Sequence, residues 1–321
     1  MRTSSEMQLR MRVRNAIAMP GHLPNVQVPW PVRSMRNLCG PAVRCLDRAS
    51  ASVSAEGARP FIKWAGGKRQ LLPALIERVP DFYGTYFEPF LGGGALFFSQ
   101  RPGQAVLADV NTRLIRTYRG VRDHVDDVIG LLREYPHDSR FYYDLRQRDI
   151  DSASDAEVAA WFIYLNKTGY NGLYRVNRGN GFNVPFGRYA NPTICDEPTL
   201  RACSAALAGV ERLLVSDFEV AVEGANRGDF VYFDPPYVPL SITSSFTSYT
   251  SHGFGPEDQI RLRDLARRLK KRGVRVLLSN SSAPFVRDLY AEDFDVEEVL
   301  ATRMVNSKAS ARGAIIELVI T

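Results

Sequence analysis

From Pro60 to the C-terminus, short apolar runs alternate with stretches whose apolar residues recur at helical spacing. Runs of β character fall at Thr85 to Phe90, Ala105 to Ala108, Arg212 to Val215, Asp229 to Phe233, Arg275 to Ser279 and Ala314 to Ile320. Between them Leu71, Leu72, Leu75, Ile76 and Val79 share one helical face, Leu114, Ile115, Tyr118 and Val121 a second, and Leu262, Leu265 and Leu269 a third. Strands separated by helices in this way predict an α/β chain with a mostly parallel sheet covered by helices.

Residues 125–208 break the alternation, because they hold helical patterns and no convincing strand. They are expected to form an inserted unit between the second and third strands, dividing the α/β body into 58–124 and 209–321. One helix in the insertion is well marked. Ser154 and Glu157 are spaced as a capping box, Val158, Trp161, Phe162 and Leu165 follow on one face, and Gly169 opens a Gly- and Asn-rich loop over about 169–190.

Composition adds limits rather than chemistry. The chain has 321 residues, of which 45% are hydrophobic and 24% charged, enough for one good-sized core and a second small domain. The formal charge of +6 suits a polyanionic partner, but it is unevenly placed. Residues 1–57 carry Arg2, Arg10, Arg12, Arg14, Arg33, Arg36, Arg44 and Arg48 against Glu6, Asp47 and Glu56, so they supply +5 of it and the body is close to neutral. Pro20, Pro24, Pro29, Pro31 and Pro41 interrupt any helix there. This segment reads as a disordered extension or as sequence ahead of a later start near Met35, with a basic arm touching DNA or a transit sequence as the alternative. Cys39, Cys45, Cys195 and Cys203 include no CxxC pair and have no histidine at zinc-ligand spacing, so no metal and a reducing, cytoplasmic compartment are expected. No apolar run approaches the length of a membrane span.

Three segments carry candidate chemistry. In YFEPFLGGGALFF a strand runs into Gly92, Gly93 and Gly94 and then a helix, a turn that lets backbone approach a ligand closely. Further on, Asp109 ends the second strand in AVLADVN, where a carboxylate can accept both hydroxyls of a ribose. In VYFDPPY, Asp234, Pro235, Pro236 and Tyr237 follow an apolar strand directly. An adenine amino group is a poor nucleophile because its lone pair is delocalised. The Asp234 carboxylate and the Pro235 carbonyl can accept its two hydrogens, and consecutive prolines hold that carbonyl outward. Tyr237 can stack on the ring. The third segment, PFIKWAGGKRQLL, packs Lys63, Trp64, Gly66, Gly67 and Lys68 together, as a wall and a cation beside a cofactor site would require.

FIKWAGGK, FEPFLGGG and DPPY, in this order, resemble the Dam-type family of adenine-specific DNA methyltransferases from about Arg59 to the C-terminus. The resemblance implies a Rossmann-like, doubly wound methyltransferase sheet with an antiparallel final strand, a small helical DNA-recognition domain with a hairpin, and S-adenosyl-L-methionine as cofactor. It assigns cofactor contacts to Trp64, Lys68, Gly92, Gly94, Asp109 and Asp234, and to the pair Asp217 and Phe218. Asp234 through Tyr237 become the adenine pocket. The loop LNKTGYNGLYRVNRGNGFNVPFGRY resembles the recognition hairpin of GATC-modifying members. By that likeness Arg175 reads guanine, Tyr170 fills the gap left by an extruded adenine, Asn171, Leu173, Asn177 and Pro185 line the DNA, and Lys63 reads the outer guanine. Arg178 and Arg188 suit phosphate clamps. Two positions depart from the pattern: Ala190 and Asn191 follow Tyr189 where a basic residue is usual, and Thr168 replaces a bulky one. Residues 1–57 have no counterpart.

The implied activity is methyl transfer to adenine in double-stranded DNA, most readily in GATC, by a cytoplasmic, nucleoid-associated monomer. The enzyme would act either as a lone DNA-marking enzyme or as the protective partner of a restriction endonuclease. An RNA adenine methyltransferase, a cytosine amino methyltransferase, a DNA-binding relative without catalysis and a nicotinamide oxidoreductase are the competing readings. The Ser- and Thr-rich run SITSSFTSYTSHGFG after Tyr237 is expected to be a mobile loop over DNA or plain surface.

Overall fold

The structure, a computed structural model, describes residues 57–68, 70–238, 254–302 and 314–321. The Arg-rich segment as far as Glu56, including Cys39 and Cys45, and the Ser- and Thr-rich run as far as Gly253 lie outside the described residues.

The chain runs α1 (Leu72–Ile76), β1 (Tyr86–Glu88), α2 (Ala95–Gln100), β2 (Ala105–Asp109), α3 (Thr112–Asp123), α4 (Val125–Glu134), α5 (Ser139–Arg146) and α6 (Asp155–Thr168). A single 3₁₀ turn, Tyr170–Gly172, leads into the Gly- and Asn-rich loop. Then follow α7 (Glu197–Leu207), β3 (Val210–Val215), α8 (Phe218–Ala221), β4 (Phe230–Phe233), α9 (Pro256–Lys271), β5 (Arg275–Ser281), α10 (Pro284–Tyr290), β6 (Val296–Thr302) and β7 (Ala314–Ile320).

The strands form one seven-stranded sheet in the order β3-β2-β1-β4-β5-β7-β6. The first five are parallel, and β7 enters antiparallel between β5 and β6, so the antiparallel final strand expected from the sequence is present. Successive side chains of a strand point to opposite faces, and the core divides accordingly. Tyr86, Leu107, Phe230, Tyr232 and Leu277 face the layer built on α3 and α6, whereas Phe87, Val106, Val231, Phe233 and Leu278 face the layer built on α9 and α10. Because both faces are covered, the central strands read as continuous apolar runs rather than as an alternation.

The helical stripes lie where the spacing places them: Leu114, Ile115, Tyr118 and Val121 are buried on α3, and Leu262, Leu265 and Leu269 on α9. The capping box at Ser154 and Glu157 is formed, which stabilises the first turn of α6 by about 1 kcal/mol. Yet α6 is buried from Val158 through Asn166, on every face, since it packs against α3, α4 and α5. The buried residues of α4 to α7 belong to the same contiguous core as the α3 face of the sheet. The first helix is shorter than its stripe: Val79 lies beyond α1, which ends at Ile76. One strand escapes the sequence reading altogether. In VEEVLAT, Val296, Val299 and Leu300 have helical spacing, and pairing with β7 along all seven residues makes it a strand.

Candidate active site

The strand order reverses direction between β1 and β4, and ligands of doubly wound sheets sit at such a switch, beyond the carboxyl ends of the strands. The candidate residues converge there. Gly92 and Gly94 follow β1, Asp109 ends β2, Asp217 follows β3 and Asp234 follows β4. Trp64 and Lys68 come from the segment ahead of α1.

The glycine turn is stereochemically specific. Gly92 and Gly94 have φ of 47° and 63°, a region that costs an L side chain strain. A Cβ on Gly92 would lie 2.6 Å from Trp64 Cδ1, so the indole packs directly on the turn. The Gly92 amide donates to Asp109 Oδ2 at 3.1 Å and the Asn111 amide to Oδ1 at 2.9 Å. These bonds fix the carboxylate at the end of β2, while burial pushes its pKa up. The Tyr118 hydroxyl donates to the Gly92 carbonyl at 3.0 Å and braces the turn from α3.

Asp234 is held by two donors. Lys68 Nζ lies 2.7 Å and Ser279 Oγ 2.9 Å from the same oxygen, Oδ1. Burial raises the Asp234 pKa, opposed by the Lys68 charge and by the hydrogen bonds from Lys68 and Ser279. Lys68, only 5% exposed, also donates to the Gly66 carbonyl and stands 4.4 Å from the centroid of the Tyr237 ring. The Tyr237 hydroxyl donates to Glu317 Oε2 at 2.9 Å. Pro236 is tied from the other side, its carbonyl accepting from Gln259 Nε2 at 3.2 Å.

Asp217 caps α8 and accepts from the Glu219 amide at 3.0 Å and from Arg261 at 3.2 Å. Phe218 stacks on Phe90, 5.3 Å between centroids, and lies under the Arg261 guanidinium.

The recognition candidates sit on the loop after α6. Its two arms are joined by isolated antiparallel bridges, Gly169 with Phe186 and Val176 with Phe182. Tyr170, Asn171, Pro185 and Arg188 are exposed, and Leu173 is half-buried. Asn171 has φ of 56°, a conformation asparagine tolerates better than most residues. Arg175 is engaged within the loop, Nε donating to Asn183 Oδ1 at 2.6 Å. Asn177 is turned into its own hairpin tip, where Oδ1 accepts the amides of Gly179 and Gly181. Lys63 rests 4.6 Å above the Tyr189 ring. Thr168, fully buried, returns its hydroxyl to the Tyr164 carbonyl at 2.7 Å, so a small residue suits that position.

Tyr174 and Phe182, which the sequence offered with Tyr170 as aromatics for a stacking wedge on DNA, are buried instead. Tyr174 packs near-parallel to Phe162 and to Trp64, at 4.9 and 5.9 Å, in a three-ring cluster that joins the loop to the glycine turn. Several other contributors were not singled out from sequence. Arg113 on α3 donates to both oxygens of Asp151 and to the Asn180 carbonyl at the hairpin tip, each at 2.7 Å. Asn166, Glu88, Ser279, Asn280 and Gln259 are all buried polar residues. The signal available for them was a polar residue inside an apolar run, as in LLSNS.

Among the described residues no group of three or more His, Cys, Asp or Glu is placed to hold a metal, and no helix is long and apolar enough to cross a membrane.

The sequence pattern of the D12 class N6 adenine-specific DNA methyltransferase family matches residues 64–305. The type II methyltransferase M1.LlaDCHI of Lactococcus lactis subsp. cremoris is 48% identical over 270 residues, 82% of this chain and 95% of that protein. The type II methyltransferase M.MjaIII of Methanocaldococcus jannaschii is 42% identical over 276 residues, covering 79% and 95%. The DNA adenine methylase of Escherichia coli strain K12 is 33% identical over 264 residues, covering 81% and 94%. With glycine turn, DPPY segment and sheet order all in place, the chain belongs to the D12 class of N6 adenine-specific DNA methyltransferases.

Proposed function

We propose that this methyltransferase draws its methyl group from S-adenosyl-L-methionine and delivers it to adenine N6 within GATC in double-stranded DNA. The observation that carries the reading is the Asp234 carboxylate, anchored through Oδ1 beside the glycine turn. The cradle fits the cofactor. Its glycine turn has no room for a side chain, and Asp109 is fixed by two amides at the end of β2, where ribose hydroxyls can donate to it. Trp64, Lys68, Asp217 and Phe218 complete the cofactor contacts. When bound, S-adenosyl-L-methionine supplies a methyl carbon made electrophilic by its positively charged sulfur.

The protein's task is to orient the amine. Asp234 and the Pro235 carbonyl accept its two hydrogens, which draws the nitrogen lone pair out of conjugation and toward the methyl carbon. Tyr237 stacks on the extruded base, its hydroxyl tethered by Glu317. With the cofactor held there, its sulfur would be the leaving group that keeps the carbon–sulfur electron pair, while Asp234 and the Pro235 carbonyl would hold the amine in line with the methyl carbon. One amine hydrogen then leaves as a proton, and Asp234 is placed to receive it. Most of the acceleration comes from alignment, with no covalent enzyme intermediate.

Residues 125–208 serve as the recognition unit. Arg175, Tyr170, Asn171, Leu173, Asn177, Pro185, Arg188 and Lys63 form the DNA face, with Arg175 exchanging Asn183 for a guanine edge on binding. The likeness of residues 165–189 to GATC-reading hairpins supports the target. The same reading places the enzyme on the nucleoid in the cytoplasm, working as a monomer.

The test is transfer from labelled S-adenosyl-L-methionine to unmethylated plasmid, followed by nucleases that distinguish methylated from unmethylated GATC. Protection is the expected result. Label in adenine without protection discards the target, and absence of label from DNA discards the substrate.

A further inference from the structure

Ser279 and Asn280 are consecutive on β5 and both fully buried, directly after the apolar run Val276, Leu277 and Leu278 and before Ser281, which is also buried. Two polar side chains buried where β5 passes the end of β4 and pairs antiparallel with β7 need partners, because an unpaired buried polar group costs about 1–3 kcal/mol. Their partners lie on opposite faces, as the strand pleat requires. The register pairs Phe233 with Leu278, so one step further Asp234 and Ser279 stand side by side. The Ser279 hydroxyl donates to Asp234 Oδ1 at 2.9 Å and sits 2.9 Å from the Tyr232 hydroxyl. On the other face Asn280 Nδ2 donates to Gln259 Oε1 at 2.9 Å, and Gln259 Nε2 donates to the Pro236 carbonyl at 3.2 Å.

We propose that Ser279 and Asn280 are positioning residues for methyl transfer, gripping the DPPY segment from both faces of the sheet so that Asp234 Oδ2 and the Pro235 carbonyl face the adenine amine. The argument for Asp234 is one of capacity. Lys68 and Ser279 both occupy Oδ1, which fixes the carboxylate plane and leaves Oδ2 to a donor arriving from outside the described residues. Lys68 alone would fix the charge but not the plane, since an ammonium group is a point charge with rotatable donors. Pro236 lacks a backbone N–H, so its carbonyl is the handle by which α9 can hold the turn. Gln259 takes that handle, and Asn280 fixes Gln259.

This inference rests on the proposed role of Asp234, and the experiment separates the two. Single-turnover methyl transfer on saturating duplex DNA is followed against pH for Ser279→Ala, Ser279→Thr, Tyr232→Phe, Gln259→Leu and Asp234→Ala. The titratable and charged groups that face Asp234 are Lys68, Glu88 of β1, Tyr232 and Tyr237, with Glu317 of β7 behind Tyr237. Ser279→Ala removes a donor to the ionised carboxylate. The rate is expected to fall about tenfold and the acid limb to move to higher pH, with affinity for S-adenosyl-L-methionine retained. Ser279→Thr keeps the hydroxyl and restores the acid limb, and Tyr232→Phe moves it in the same direction as Ser279→Ala but less. Gln259→Leu lowers the rate with the acid limb unmoved, since a carbonyl does not titrate. A Ser279→Ala protein with an unchanged rate, or a lower rate and an unmoved acid limb, overturns the assignment. If that variant does not fold, an unmoved limb in Tyr232→Phe does so. Should Asp234→Ala still methylate adenine, the proposed function itself fails.

Discussion

Asn166 and Lys63 exchange a reciprocal pair of hydrogen bonds: the Lys63 amide donates to Asn166 Oδ1 at 2.7 Å, and Asn166 Nδ2 donates to the Lys63 carbonyl at 2.8 Å. The same Nδ2 donates to the Gly172 carbonyl at 2.8 Å. A single buried amide on α6 thus fixes both the backbone of a candidate guanine-reading lysine and the turn carrying Tyr170 and Asn171. Asn166→Ala leaves three backbone groups to find new partners. A stability loss of about 2–4 kcal/mol is expected in urea unfolding. A loss below about 0.5 kcal/mol would mean that water replaces the side chain.

The glycine turn sets a steric condition on cofactor binding. At Gly92 an added methyl group meets the Trp64 indole and also takes a positive φ of 47°. Gly92→Ala is expected to displace Trp64 and weaken S-adenosyl-L-methionine binding at least about tenfold, with the fold retained. Calorimetric titration of the purified protein checks this. Unchanged affinity would place the cofactor away from the turn.

Arg113 links the start of α3 to the hairpin tip and is largely buried, with its guanidinium 5.4 Å from the Trp161 ring centroid. Arg113→Met retains much of the packing but loses the contacts to Asp151 and Asn180. Trypsin is expected to cut after the exposed Arg178 several-fold faster in the variant than in the parent. Equal cleavage rates would show that the tip is held by its Asn177 turn alone.

How far these features were legible depends on whether local sequence or a distant partner determines them. The sheet's central strands, the α3 and α9 stripes and the capping box of α6 follow from local pattern, and so does the convergence of Gly92, Asp109 and Asp234 at strand ends. β6 did not, because VEEVLAT has helical spacing and becomes a strand only through β7. The polar supports were equally hidden. Ser279 gains meaning from the register that sets it beside Asp234, and Asn166 from a partner more than a hundred residues away. Local sequence also did not show that Arg175 and Asn177 bond within the hairpin, Arg175 to Asn183 and Asn177 to the amides of Gly179 and Gly181.

Glu88, between the glycine turn and the β1 core, couples stability to pH. It is 2% exposed, accepts a hydrogen bond from the Tyr86 hydroxyl at 2.7 Å, and burial pushes its pKa from 4.5 up to about 8. The carboxyl therefore holds its proton in the folded protein across a range where the unfolded chain has lost it. By linkage, the stability that depends on this proton is full below the unfolded pKa and declines as pH rises toward the folded one, through the window from 4.5 to about 8. Glu88→Gln makes the group permanently neutral while keeping an acceptor for Tyr86. The variant is expected to lose this decline, so its advantage over the parent grows with pH. Thermal unfolding of both proteins at about pH 5 and about pH 8.5 measures the difference. An advantage that stays constant between the two would mean that Glu88 ionises in the folded protein as readily as in the unfolded chain.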